Sequence, residues 1–113
     1  MNGIEKNLKA AGLMDNDDSL IATERGNYWK KTILLNSKVR GYYYFTEKAI
    51  IFIGGFASST QWSIKFKDIK KIQKSSLFGA IIETEDENGK TIKHRISLIR
   101  RNYWVDFIQS NIN

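Results

Sequence analysis

The sequence predicts a mainly β (α+β) domain of about seven antiparallel strands closed by one C-terminal α-helix. Three observations carry this. Short segments rich in β-branched and aromatic residues recur along the chain, each ended by glycine or a polar turn. Asn88-Gly89, the strongest short hairpin signal, sits between two of them. After residue 100 the period changes, and Trp104, Phe107 and Ile108 stand at i, i+3 and i+4.

Taken in order, residues 3–14 (GIEKNLKAAGLM) read as a short helix with Ile4, Leu8 and Ala11 on one side, and the acidic run Asp15 to Asp18 reads as a solvated linker. Ser19–Leu35 holds at least one strand, Thr32–Asn36, with Leu20–Thr23 as an earlier half interrupted at Gly26. Tyr42–Thr46 and Ala49–Ile53 form a hairpin across Glu47-Lys48 and end at Gly54-Gly55. Alternation puts Tyr43 and Phe45 on one face and Tyr42, Tyr44 and Thr46 on the other. Both strands are apolar on both faces, which fits a strongly bent sheet whose outer face is partly covered. Thr60–Phe66 alternates with Trp62, Ile64 and Phe66 inward. Ile69–Lys74 suits either one helical turn or a bulged strand. Gly79–Thr84 and Thr91–Ser97 are the arms of the Asn-Gly hairpin, with Ile92 and Ile96 on one face. The last helix takes Asn102 as N-cap, with Asp106 near the positive end of its dipole.

A chain of 113 residues makes one domain with one core. It has no cysteine, so disulfides and thiolate metal sites are excluded. No apolar run approaches the roughly 20 residues that span a bilayer, and the first residues lack a signal-peptide apolar core. A soluble, cytoplasmic protein is the expectation. Charge is uneven: the net +6 divides into −2 over residues 1–27 and +8 over residues 28–113. A basic body suits lipid headgroups, nucleic acid or acidic proteins.

The motifs add a resemblance. Gly41, Tyr43, Tyr44, Phe45, Thr46, Ile50, Ile51 and Phe52, followed by Ile64, Phe66, Asp68, Ile69 and Ile72, and then the aromatic-led helix of Tyr103, Trp104, Phe107 and Ile108, appear in this order. This order resembles the GRAM and bacterial PH-like branch of the pleckstrin-homology superfold. Ala49 stands where members of that branch usually carry a basic residue. The resemblance covers residues 19–112 and leaves the N-terminal 18 outside as helix and acidic linker. It implies a PH-like barrel of two nearly orthogonal sheets, with the last helix plugging one open corner. Gly41, Thr46, Phe52, Trp104, Phe107 and Ile108 are then structural residues. It also implies a binding module that is not an enzyme and needs no cofactor.

Catalytic chemistry has no foothold. His94 is the sole histidine and reads as a solvated strand residue between Lys93 and Arg95. Asp86 and Glu87 are adjacent in a turn and point apart. Asp15, Asp17 and Asp18 lack the glycine and distal glutamate of a calcium loop, so no metal site is predicted. Gly54-Gly55 lacks the Gly-Lys-Ser/Thr of a phosphate loop. Phosphoinositide-binding PH domains often carry spaced cations across their first two strands, and Lys31, Lys38 and Arg40 follow that pattern. A loop at Ser37–Arg40 would hold Lys38 and Arg40 beside Lys30 or Lys31, giving a candidate anionic-headgroup site. A second basic set, Lys65, Lys67, Lys70, Lys71 and Lys74, reads first as a lysine-blunted sheet edge and second as a patch drawn to anionic lipid. Nucleic acid is disfavoured, because no ribonucleoprotein motif is present and the aromatics fall where a core needs them. The expected function is peripheral association with anionic phospholipid on the inner membrane surface. The alternative is a protein–protein adaptor using a sheet edge or the groove beside the last helix. A homo-oligomer is compatible with either reading.

Overall fold

The computed structural model describes residues 3–31 and 36–112. Seven antiparallel strands follow one short helix: α1 (Gly3–Ala10), β1 (Leu20–Lys31), β2 (Asn36–Thr46), β3 (Ala49–Gly54), β4 (Thr60–Lys65), β5 (Lys71–Lys74), β6 (Gly79–Glu85) and β7 (Thr91–Leu98). The closing helix is α2 (Arg101–Asn111). Hydrogen bonding runs through one sheet in the order β4-β3-β2-β1-β7-β6-β5. Two separate sheets were the expectation, whereas β1 joins the halves continuously. It pairs with β2 from Leu20 to Lys31 but with β7 only over Gly26–Tyr28.

Several boundaries move. β1 runs unbroken through Gly26, and Asn36 opens β2 rather than closing the first strand. The rest of the strand expected at Thr32–Asn36 lies outside the described residues. Ser37–Arg40 is strand, paired with Asn27–Lys30, and not a loop. The ambiguous Ile69–Lys74 segment follows a 3-10 turn at Phe66–Asp68 and becomes strand at Lys71. Asp86 accepts backbone N–H bonds from Asn88 and Lys90, which shapes the β6–β7 turn, and Gly89 takes the positive φ of 80°.

The inner face is one apolar cluster. Tyr43, Phe45, Ile50, Phe52, Phe66, Ile82, Ile96 and Leu98 meet there with Trp104, Val105 and Ile108 of α2. Trp104 lies parallel to Phe45 at 3.8 Å between centroids, and Phe107 stands edge-on to both. The helix begins earlier than the sequence suggests. Arg100 is the N-cap, with no side-chain cap bond, and Asn102 and Asp106 do not serve the roles expected of them. Ile92 is exposed although Ile96, on the same face, is fully buried. It sits toward the hairpin tip, beyond the reach of the core.

The outer face of β2 and β3 is covered, as the double-sided apolar pattern requires. Leu8 of α1 and Met14 bury against Ile51, with Tyr44 and Ile53 packed around them. Ile4 and Ala11, expected beside Leu8, are exposed. The acidic segment is not a free solvated linker. Asp18 is only 2% exposed and accepts hydrogen bonds from the Thr46 hydroxyl at 2.6 Å and the Ser19 backbone at 2.7 Å. Asp15 pairs with Lys65, and Asp17 with Lys48.

Three glycines in register let the sheet coil tightly. Gly26, Gly41 and Gly54 face one another across β1, β2 and β3. A Cβ on Gly26 would collide with the Ser97 carbonyl and the Tyr43 ring, and one on Gly41 with the Ile53 carbonyl and the Phe52 ring. The bare backbone thus makes room for both rings.

Candidate basic face of β1, β2 and β7

Strand alternation sorts the expected headgroup residues onto two faces. The register pairs Trp29 with Lys38, Asn27 with Arg40 and Arg25 with Tyr42. These residues occupy the outer face, opposite Tyr28, Val39 and Tyr43. Lys31, paired with Asn36, shares that face, while Lys30, paired with Ser37, lies on the inner one. The structure therefore brings together Lys31, Lys38 and Arg40, but not Lys30.

β7 extends this surface with residues that pattern reading missed. Asn27 pairs with Ser97, and its amide donates to the Ser97 hydroxyl. One row on, the Arg95 guanidinium lies 4.1 Å from the centre of the Trp29 ring. In the opposite direction Arg25 lies 6.0 Å from the centre of the Tyr42 ring. The outer face thus reads Arg40–Asn27–Ser97 across three strands, with Lys38–Trp29 beside Arg95 on one side and Tyr42–Arg25 on the other, where Ile99, just past the end of β7, lines the same groove as Arg25. Arg25, Lys38 and Arg40 line a shallow groove of about 350 Å³ with Gly26, Asn27, Gly41 and Ile99. No carboxylate among the described residues lines it. Among the described residues, none of Arg25, Lys38, Arg40 and Arg95 forms an ion pair. The signal for Arg25 and Arg95 lay in strand register, which composition does not reveal.

The second basic set is dispersed and largely offset. Lys65 pairs with Asp15 at 3.1 Å, Lys70 approaches Glu85 at 4.0 Å, and Lys71 faces Glu83 across β5 and β6. Lys67 lines a cleft that also holds Asp15 and Glu47. Lys71 and Lys74 lie on β5, a four-residue edge strand, where lysine discourages pairing with another chain.

His94 is not a solvated strand residue. It points inward, half-buried, within hydrogen-bond distance of the Thr84 hydroxyl at 3.0 Å, with Trp62 at 6.2 Å between ring centroids. Burial holds its pKa below the ordinary value. It lines a cleft of about 390 Å³ where β4 curls toward β6, together with Asp68, Lys70, Thr84, Glu85 and Asp86. The mixed charges there do not build a site for one sign of ligand. Among the described residues, no three potential ligands are placed to hold a metal ion. No helix among them is long and apolar enough to cross a membrane.

No family model and no curated protein matches the chain. Among solved structures, the chain is similar to the C-terminal domain of an unknown protein from Leishmania infantum, with a TM-score of 0.64 over 96% of each chain at 20% identity. At that identity the likeness shows the fold alone.

Proposed function

We propose that this chain is a non-enzymatic binding module of the PH/GRAM-like kind, associating peripherally with anionic phospholipid through the outer face of β1, β2 and β7. The seven-stranded curled sheet and the helix packed against its inner face support the PH-like part of this reading. One observation supports the function most: Arg25, Lys38, Arg40 and Arg95 share a face where no carboxylate among the described residues pairs with them. Cations near an anionic bilayer gain about 1 kcal/mol each. Trp29 and Tyr42, lying under two of the arginines, add flat rings suited to the headgroup layer.

The test is co-sedimentation with phosphatidylserine-containing vesicles against phosphatidylcholine alone, at two salt concentrations. Lys38→Glu combined with Arg40→Glu reverses the field without touching the core. Partitioning should fall by on the order of a thousandfold, since two attractions become two repulsions. The remaining binding should be less sensitive to salt. Equal binding by the double variant, or no preference of the wild type for acidic vesicles, rejects the proposal in favour of a protein–protein adaptor.

A further inference from the structure

Beside the basic face lies an apolar corner that the fold leaves uncovered. The loop between β5 and β6 holds Leu77 and Phe78, the β7–α2 junction holds Ile99, and the first turn of α2 holds Tyr103. Leu77 is 80% exposed and Ile99 is 72% exposed, and the two rings are about half exposed. These four side chains line a groove of about 380 Å³ with Arg100, Arg101 and Asn102. Ile99 also lines the groove of Arg25, Lys38 and Arg40, so the apolar corner and the basic face are continuous.

The corner is held in shape. Arg101 donates to the Ser76 and Gly79 carbonyls, bracketing Leu77 and Phe78. The Leu98 N–H donates to the Phe78 carbonyl at 2.9 Å. Phe78 keeps a φ of 62°, in the left-handed region that costs a non-glycine residue strain. Asparagine or glycine would serve such a turn more easily, yet an exposed phenylalanine stands there. Arg100 lies 4.4 Å from the Tyr103 ring centre, which places a cation at the rim.

We infer that Leu77, Phe78, Ile99 and Tyr103 form a wedge that enters the acyl–headgroup boundary of an anionic bilayer while the flanking arginines and Lys38 hold the phosphates. This rests on the proposed lipid-binding function and deepens it. The occupant is argued from charge and continuity: apolar side chains at the centre, five cations around the two grooves (Arg25, Lys38, Arg40, Arg100, Arg101) and, among the described residues, no carboxylate lining either. An acidic headgroup layer above hydrocarbon matches that order of charge and apolarity.

Leu77→Ser with Ile99→Ser separates insertion from attraction, using the same acidic and neutral vesicles. At low salt the double variant should still bind acidic vesicles, about tenfold more weakly, and at high salt it should lose the residual binding that the wild type keeps. The chain has no cysteine, so Leu77→Cys carries a single environment-sensitive dye. That dye should report a less polar surrounding when acidic vesicles are added. A dye on Phe56→Cys should not, because Phe56 is 93% exposed but lines neither groove. Wild-type-like binding by the serine variant at both salts overturns the wedge. So does a dye on Leu77→Cys that still reports water on saturating vesicles, which decides the question even if the serine variant folds poorly. In either case, loss of binding by the Lys38→Glu/Arg40→Glu variant leaves the basic-face proposal standing. Failure of the wild type to bind acidic vesicles removes both.

Discussion

Tyr42, Tyr43, Tyr44 and Phe45 are adjacent in sequence yet meet three different surroundings. Tyr43 and Phe45 are fully buried, and the Tyr43 hydroxyl donates to the Asn27 carbonyl. Tyr44 packs under the N-terminal segment, and Tyr42 lies near Arg25 at the basic face. Period-two alternation separates Tyr43 and Phe45 from Tyr42 and Tyr44, and the N-terminal segment packed on Tyr44 divides the outer pair. Thr46 closes the run. Its hydroxyl donates to Asp18 and accepts from the Ala49 backbone at 2.8 Å, so a buried polar group is satisfied on both sides. His94 gives a pH prediction at this scale. Burial lowers its folded pKa from the ordinary 6.5. Between the two values the unfolded chain binds more protons, so stability is full above about pH 6.5 and falls as pH drops toward the folded pKa. His94→Gln should flatten the wild-type slope of urea midpoint against pH just below 6.5. A ring titration by NMR with its midpoint at or above 6.5 would refute the prediction.

At the scale of elements, each helix covers one face of the sheet. α1 is short, and among its residues only Leu8 is buried. Even so, with Met14 it shields Ile51, and ion pairs from Asp15 and Asp17 hold the following segment to Lys65 and Lys48. Exposed pairs of this kind contribute little singly, so the apolar contact and the buried Asp18–Thr46 bond dominate the docking. α2 is anchored by Trp104, which stacks on Phe45 and touches Phe107 and Tyr103 edge-on. Trp104→Ala should cost about 3–5 kcal/mol, as other large aromatic truncations do. Trp104→Phe should cost less, because the indole N–H finds no acceptor among the described residues and its loss leaves nothing unpaired. Chemical denaturation measures both, and a Trp104→Ala midpoint close to wild type would show that α2 is not held by this ring.

Over the whole molecule, β1 joins the strand halves β2-β3-β4 and β7-β6-β5 in the sheet, and among the described residues it meets β7 over just Gly26–Tyr28. Gly26 sits at that seam against the Ser97 carbonyl and the Tyr43 ring. Gly26→Ala should therefore strain both halves together, costing about 1–3 kcal/mol, in a single transition. Two separate transitions, or no loss, would mean the seam does not couple them. The same geometry distributes charge. The acidic N-terminal segment is tied to Lys48 and Lys65, away from the β1–β2–β7 face, whose cations stay unpaired among the described residues.

Strand count, the Asn-Gly hairpin and the buried stripe of α2 were legible in the sequence, because alternation, turn chemistry and a change of period are local properties. The cover over the outer face was legible as a need, since Ile51 and Ile53 are apolar opposite Ile50 and Phe52. Which segment supplies that cover was not, because Leu8 and Met14 reach Ile51 only through space. Lys31, Lys38 and Arg40 were visible as spaced cations, whereas Arg25, Arg95 and the exclusion of Lys30 required the β1–β2 and β1–β7 registers. His94 looked solvated because its neighbours are charged, yet they lie on the opposite face of the strand. The apolar corner at Leu77, Phe78, Ile99 and Tyr103 draws on two segments over 20 residues apart. Only long-range pairing, through the Phe78–Leu98 bond and the Arg101 contacts to Ser76 and Gly79, sets them side by side.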